Sequence, residues 1–262
     1  MDTGLKSRVA LISGASQGLG RATATAFAAE GTHLALCARN VQALGQLSAD
    51  LRERFGVQVH YEACDARDRP ATEQFVSNAH SLFNRIDICV TNAGGPPARQ
   101  FLETTQAEWE DAFALNLRSA IDFARAAIPY MQKRRWGRIV TISSITVKQP
   151  QPQLVLSNAI RAGVMGLVRS LATEFGKDGI TANNVGPGYT ATARLLELAA
   201  RRAAATGKTE KEIEKTWIDQ IPLGRLGKPE EVADAIVWLA SERASFVTGQ
   251  TILVDGGMYQ GL

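Results

Sequence analysis

At 262 residues, 45% of them hydrophobic and 21% charged, the chain has the make-up of an ordinary folded protein. A chain of this size buries about three quarters of its unfolded surface and needs neither disulfide nor metal to hold it. The composition excludes a disordered or collagen-like chain, and a formal charge of +3 is too small to argue for a nucleic-acid partner.

The short polar stretch Met1 to Arg8 leads straight into an apolar run, leaving no room for a leader peptide. No apolar run reaches the ~18 residues of a membrane span. The expectation is a cytoplasmic chain without a membrane partner. In chain order, short β-rich apolar runs lie near Val9 to Ser13, Leu34 to Cys37, Val57 to Cys64, Ile86 to Thr91, Arg138 to Ser143, Thr181 to Val185 and Thr251 to Val254. They predict seven strands, most of them separated by segments long enough for right-handed crossover helices. Strands with so little polar alternation suit a parallel sheet covered on both faces. Cys37, Cys64 and Cys89 fall within these runs and lack metal-ligand or CxxC spacing, so they read as core thiols, with no metal site. The basic run Lys133-Arg134-Arg135 is short enough to be a helix end. From Thr192 to Pro222 the alternation is interrupted by two helical segments split at Gly207, and Thr209 and Glu212 have the spacing of a capping box for the second. An insertion after the carboxyl end of the sixth strand lies over the ligand crevice of such a sheet. Residues 192–222 are therefore expected to form a substrate lid.

The first strand runs into Ser13-Gly14-Ala15-Ser16-Gln17-Gly18-Leu19-Gly20, followed by a helix from about Arg21 to Glu30. Glycines here let backbone N–H groups approach a pyrophosphate at the positive helix end. The fold expected is thus an α/β, Rossmann-type doubly wound parallel sheet with helices on both faces, one dinucleotide-binding domain over residues 1–262. Gly14, Ser16, Gln17, Gly18, Leu19 and Gly20 are the phosphate-binding candidates.

The GxxxGxG spacing of this turn resembles the short-chain dehydrogenase/reductase family, and further pieces of that pattern follow over nearly the whole chain. Asp65 and Ala66, after Cys64, resemble the segment that holds the adenine ring. Asn92-Ala93-Gly94 resembles the turn after the fourth strand, and Asn116 the helix asparagine of the catalytic set. Pro187-Gly188, with Thr190 and Thr192, resembles the turn whose threonine holds the nicotinamide carboxamide. The tail, with Pro222-Leu223-Gly224-Arg225-Leu226-Gly227-Lys228-Pro229-Glu230-Glu231 and Val254-Asp255-Gly256-Gly257, is similar to that of bacterial 3-oxoacyl-acyl-carrier-protein reductases. The resemblance implies a small-molecule carbonyl or alcohol substrate. It also implies a homo-oligomer, most simply a tetramer, associating through the last strand and two long helices. The apolar faces Ala120, Phe123, Ala124, Ala127 and Val164, Leu167, Val168, Leu171 are the expected contact surfaces.

The second strand ends in Arg39, with no acid to meet a ribose 2′-hydroxyl. A guanidinium suits the 2′-phosphate, so NADP(H) is expected in preference to NAD(H). The family's chemistry rests on a serine, a tyrosine that exchanges the proton, and a lysine that lowers the tyrosine's pKa and holds the nicotinamide ribose. Ser144 matches the serine; the other two positions read Ser157 and Arg161. A serine hydroxyl is a far weaker acid than a phenol of pKa about 10, and arginine does not exchange protons near neutral pH. Ser144, Asn116, Ser157 and Arg161 are the catalytic candidates, Arg161 also a cofactor contact, and Tyr189 is an alternative donor from the opposite wall. Two readings follow: an NADP(H)-dependent oxidoreductase with an atypical active site, or an NADP(H)-binding sensor or scaffold with little turnover.

Overall fold

The computed structural model describes residues 2–261. All seven predicted strands form: β1 (Val9–Ser13), β2 (His33–Ala38), β3 (Val59–Ala63), β4 (Ile88–Thr91), β5 (Gly137–Ile142), β6 (Ile180–Pro187) and β7 (Thr251–Val254). They make one sheet of order β3-β2-β1-β4-β5-β6-β7, parallel throughout. The helices are α1 (Gly18–Ala29), α2 (Val41–Phe55), α3 (Arg69–Phe83), α4 (Gln106–Phe113), α5 (Ser119–Arg134), α6 (Val155–Phe175), α7 (Ala193–Thr206), α8 (Glu210–Ile218) and α9 (Pro229–Ala240).

The absence of polar alternation has a direct structural meaning. Every residue of β1 is buried: Ala10 and Ile12 pack into a core with Ala24, Phe27, Leu44 and Ile236, from α1, α2 and α9. Leu11, one step along, points into a second core with Phe75, Phe123 and Val164, from α3, α5 and α6. A period of two therefore feeds two apolar layers, and the sheet is covered on both faces.

Local signals set the helix ends. Asn40 and Asp68 cap α2 and α3 by accepting hydrogen bonds from Ala43 N and Ala71 N, both at 3.1 Å. Lys133 and Arg134 occupy the last turn of α5, which stops at Arg135 in the left-handed region (φ 50°). Gly207 ends α7 at φ 69°, and Thr209 and Glu212 form the expected capping box of α8.

Three expectations change. Helix α1 begins inside the glycine turn, at Gly18 rather than Arg21. Edge strand β3 is shorter than the apolar run that predicts it, because it pairs only with β2, from Leu34↔Val59 to Ala38↔Ala63. Cys64 thus lies just past a strand, and all three cysteines are free and buried. The third concerns the expected oligomer surfaces. Ala120, Phe123, Ala124, Ala127, Val164, Val168 and Leu171 are buried within the chain, and Leu167 packs partly buried beside them. The apolar stripes of α5 and α6 cover the chain's own sheet, and periodicity alone does not say what a stripe packs against. The outward face of α6 instead carries Ala159, Ala162, Gly163 and Gly166.

Candidate active site

The order of the sheet reverses between β1 and β4, and the turns after these strands are tied together there. Ser13 Oγ donates to Asn92 O (2.8 Å) and accepts from Asn92 N (2.9 Å), while Asn92 Nδ2 donates to Gly14 O (3.1 Å). Gly14 has φ +59°, and a Cβ on it would lie 2.7 Å from Asn92 O. On Gly20 a Cβ would strike Gly14 O, so the helix packs directly onto the turn. Gln17, at the N-cap of α1, offers no capping side chain, which leaves the first amides of the helix facing out between partly exposed Ser16 and Leu19. Thr192 places its methyl 3.7 Å from the Cβ position of Gly18, which brings the entry to α7 against the turn. This bare, Cβ-free cradle at a helix N-terminus fits a dinucleotide pyrophosphate.

Beyond β2, Arg39 is exposed and forms no ion pair among the described residues. Asp65 is engaged by a neighbour that sequence reading passes over. Arg67 forks onto it (Nε–Oδ1 3.1 Å, Nη2–Oδ2 2.7 Å) and reaches Asp111 with its third nitrogen at 2.6 Å. The Arg67 hydrogen bonds hold the Asp65 carboxyl below the usual range, with Arg39 adding to the effect. Ala66, next in the chain, is partly buried.

Asn116 sits in a π-helical turn, Ala114–Arg118, between α4 and α5. Its Nδ2 donates to Gly94 O at 2.8 Å, and its buried Oδ1 accepts no hydrogen bond among the described residues. A cavity of about 10 Å³ lies there, lined by Asn92, Ala93, Asn116 and Thr141 among others. A larger surface depression, about 440 Å³, lies beside Arg52, Val59 and Phe83 and holds none of the candidate residues.

After β5, Ser144 Oγ accepts from Thr146 N (3.2 Å), and Thr146 Oγ1 shares a hydrogen bond with Ser157 Oγ (3.1 Å). Ser157 is buried, so its hydroxyl belongs to this small network. Arg161, one turn along α6, is only 6% exposed. Its Nη1 donates to Ile142 O at 3.4 Å, and no carboxylate pairs with it among the described residues. Burial, and next the charge of Arg194, push its pKa down to about 10, so it stays cationic at neutral pH.

On the other wall, β6 ends at Pro187, and Gly188 lies where a Cβ would stand 2.8 Å from Asp255 Cα. Thr190 is buried and donates to Gly188 O (3.2 Å); Thr192 caps α7, accepting from Leu195 N (3.4 Å). Tyr189 stacks on Trp217 at 5.1 Å in a separate cluster with Leu195, Ala199 and Ile213, where burial raises its pKa. Of the other tyrosines, Tyr130 stacks on His80 on α3, and neither it, Tyr61 nor Tyr259 hydrogen-bonds Ser144 or Ser157. Thr146, Arg194 and Trp217 carry no motif and become visible only in the folded chain.

A family profile described as Enoyl-(Acyl carrier protein) reductase matches residues 14–259. The chain belongs to the short-chain dehydrogenase/reductase family. It is 31% identical over 259 residues to the 3-oxoacyl-acyl-carrier-protein reductase of Aquifex aeolicus, covering 99% of this chain and 100% of that protein. The L-sorbose reductase of Gluconobacter frateurii, solved with NADPH and L-sorbose, superposes with a TM-score of 0.95 at 35% identity over 100% of both chains. An NADPH-bound short-chain oxidoreductase of Pseudomonas aeruginosa, described as containing an atypical catalytic center, superposes with a TM-score of 0.89 at 33% identity, covering 97% of this chain and 98% of that one. In this family member the phosphate turn, the β4 turn and the serines after β5 meet at the carboxyl ends of adjacent strands. No group of His, Cys, Asp or Glu able to hold a metal is found among the described residues, and no described helix is long and apolar enough to cross a membrane.

Proposed function

We propose that this protein is an NADP(H)-dependent oxidoreductase acting on a small carbonyl or alcohol compound through an atypical active site. The observation that carries this reading is the open glycine cradle lying in the same crevice as Ser144, Asn116 and a buried, unpaired Arg161. The NADPH-bound reductases it resembles support the choice of cofactor.

Gly14, Ser16, Gln17, Gly18, Leu19 and Gly20 take the pyrophosphate, and Arg39 takes the 2′-phosphate. Asp65 and Ala66 flank the adenine, with Asp65 already oriented by Arg67. Asn92, Ala93 and Gly94 form the floor, and Arg161 with Pro187, Gly188, Thr190 and Thr192 takes the nicotinamide end. When bound, the dinucleotide supplies or accepts a hydride. Ser144 orients the substrate oxygen, and Arg161 stabilises negative charge developing on it, an electrostatic role that requires no proton exchange. Ser157 keeps the Thr146–Ser144 network in place. Residues 192–222, whose α7 and α8 pack around Trp217, act as the lid. A cytoplasmic homotetramer completes the proposal. Exposed Trp238 and Phe246, beside α9 and β7, and the small residues of α6 supply surfaces that a two-fold axis can pair. A monomer by light scattering at micromolar concentration would contradict that part.

The test is titration with NADP(H) and NAD(H), then NADPH turnover with a panel of carbonyl compounds. Tighter NADP(H) binding and measurable turnover are expected. The double change Ser157→Tyr with Arg161→Lys is expected to raise the chemical step on simple ketones, because a phenol needs a nearby ammonium to lower its pKa. Because Ser157 is committed to Thr146, a second reading has an observation of its own: a cofactor-binding sensor or scaffold. Tight NADPH binding with no turnover, untouched by Ser144→Ala, would favour it.

A further inference from the structure

Arg161 is more than nine-tenths buried, yet its only hydrogen bond is the long one to Ile142 O, and no carboxylate answers its charge among the described residues. A guanidinium stripped of water and left unpaired costs stability. A second cation stands near it. Arg194, in the first turn of the lid helix α7, reaches back to the loop after β4, with Nη2 3.2 Å from Pro96 O and 3.5 Å from Gly95 O. Carbonyl dipoles orient this guanidinium without cancelling its charge. Its one acidic neighbour, Glu197 at 3.6 Å, is on the lid itself and more than half exposed. The loop it grips is the one fixed by Asn116 at Gly94 O.

We infer that Arg161 and Arg194 form a two-armed anion site that takes a carboxylate next to the reacting carbonyl, so that the substrate is a 2-oxo acid or the corresponding 2-hydroxy acid. The cofactor's phosphates do not serve as the anion, because the pyrophosphate cradle follows β1 and Arg39 follows β2. Arg161 meets the end of β5, two strands beyond β1, about 10 Å across the sheet. The chemistry agrees with the site. With no phenol at the Ser157 position, hydride acceptance favours a carbonyl made electron-poor by its neighbour, and a carboxylate neutralised by two guanidiniums does this. Arginine's planar fork also matches a carboxylate edge.

The inference rests on the dinucleotide-binding reading above, and its test separates the two. NADPH binding to the full chain is measured first by fluorescence, for the native protein, Arg194→Gln, Arg161→Gln and Arg161→Lys. Oxamate, a non-reducible analogue of a 2-oxo acid, is then titrated calorimetrically with and without NADPH, alongside neutral oxamide and inorganic phosphate. Expected are saturable oxamate binding, no oxamide binding, and at least a ten-fold loss of oxamate affinity in Arg194→Gln with NADPH binding retained. Arg161→Gln should lose oxamate and Arg161→Lys should recover part of it, which a purely structural role would not produce. NADPH binding without oxamate binding, equal oxamate affinity in Arg194→Gln, or phosphate binding in oxamate's place would overturn the carboxylate site and leave the oxidoreductase reading standing. Failure of the native chain to bind NADPH would remove both.

Discussion

Arg138 and Arg161 are both buried against β5, one at its amino end and the other at its carboxyl end, and their surroundings treat the charge in opposite ways. Arg138 donates to Gly137 O (2.8 Å), approaches Glu242 Oε2 (3.5 Å) and lies 4.1 Å over the Trp136 ring. Arg8 lies over the same ring at 3.7 Å and bonds Glu242 (3.0 Å), whose other partner is Trp136 Nε1 (2.9 Å). Nearby, fully buried Asp87 accepts the fork of Arg85 (2.7 and 2.8 Å) and Val9 N (2.8 Å). Charges of both signs and a ring thus lock the amino ends of β1, β4 and β5 together. At the carboxyl end the same strand presents Arg161 with one carbonyl and another cation. The contrast separates an arginine that serves the fold from one held ready for a ligand.

The largest effect that sharpens this contrast is expected from Arg138→Leu. Removing one partner leaves Glu242 less satisfied and strips a cation from the Trp136 face. Because Glu242 is partly exposed and keeps Arg8, the loss should be about 2–4 kcal/mol, below the full value for a wholly buried pair. Urea denaturation with an unchanged m-value measures it, and NADPH affinity should not move.

Next in size is Arg39→Ala, which should weaken NADP(H) by ~1.5–3 kcal/mol, the value of a charge-assisted contact, while NAD(H) affinity stays the same. Equal native affinities for the two cofactors would show that Arg39 reads nothing.

The third prediction runs against ordinary intuition about buried side chains. Arg161→Leu should leave stability unchanged or raise it by up to ~2 kcal/mol, since an uncompensated desolvation is removed along with any ligand affinity. Its folded pKa, lowered to about 10, makes the cation a penalty that is complete below that value and relieved as pH rises through it. The gap between variant and native should therefore be constant at neutral pH. A clear loss of stability in the variant would break the comparison with Arg138.

Glu231→Gln should have the smallest effect. The Glu231 carboxyl is held down to about 2, first by its hydrogen bond from Arg225 (2.6 Å) and then by Lys228 N (2.7 Å). Its contribution is present above the ordinary carboxylate value and lost as pH falls toward about 2, so native and variant should converge in an acid titration followed by circular dichroism. A gap that persists into acid would mean that the pair ties α9 to its loop by packing alone.

How far the sequence speaks depends on the distance over which each interaction is decided. The strands, the caps at Asn40 and Asp68, the break at Gly207 and the Thr209–Glu212 box are local, and all are readable from residues a few positions apart. The glycine turn is also local in spacing, although the reason for Gly14 and Gly20, their closeness to Asn92 and to each other, joins residues from two strands. The apolar stripes of α5 and α6 show the limit. Their period announces burial, and only the packed sheet decides that the partner is this chain rather than a second copy.

Sequence by itself therefore determined the layers, the order of strand and helix, the position of the phosphate turn, and the absence of a tyrosine where Ser157 stands. The tertiary structure decided which charges meet. It paired Asp65 with Arg67 and Arg138 with Glu242, sent Tyr189 to Trp217, and left Arg161 unpaired near Arg194. Backbone periodicity and turn chemistry act between near neighbours and are written along the chain. A side chain's electrostatic environment is the sum over every element folded against it, and that sum exists only once the sheet and the α7 helix have come together.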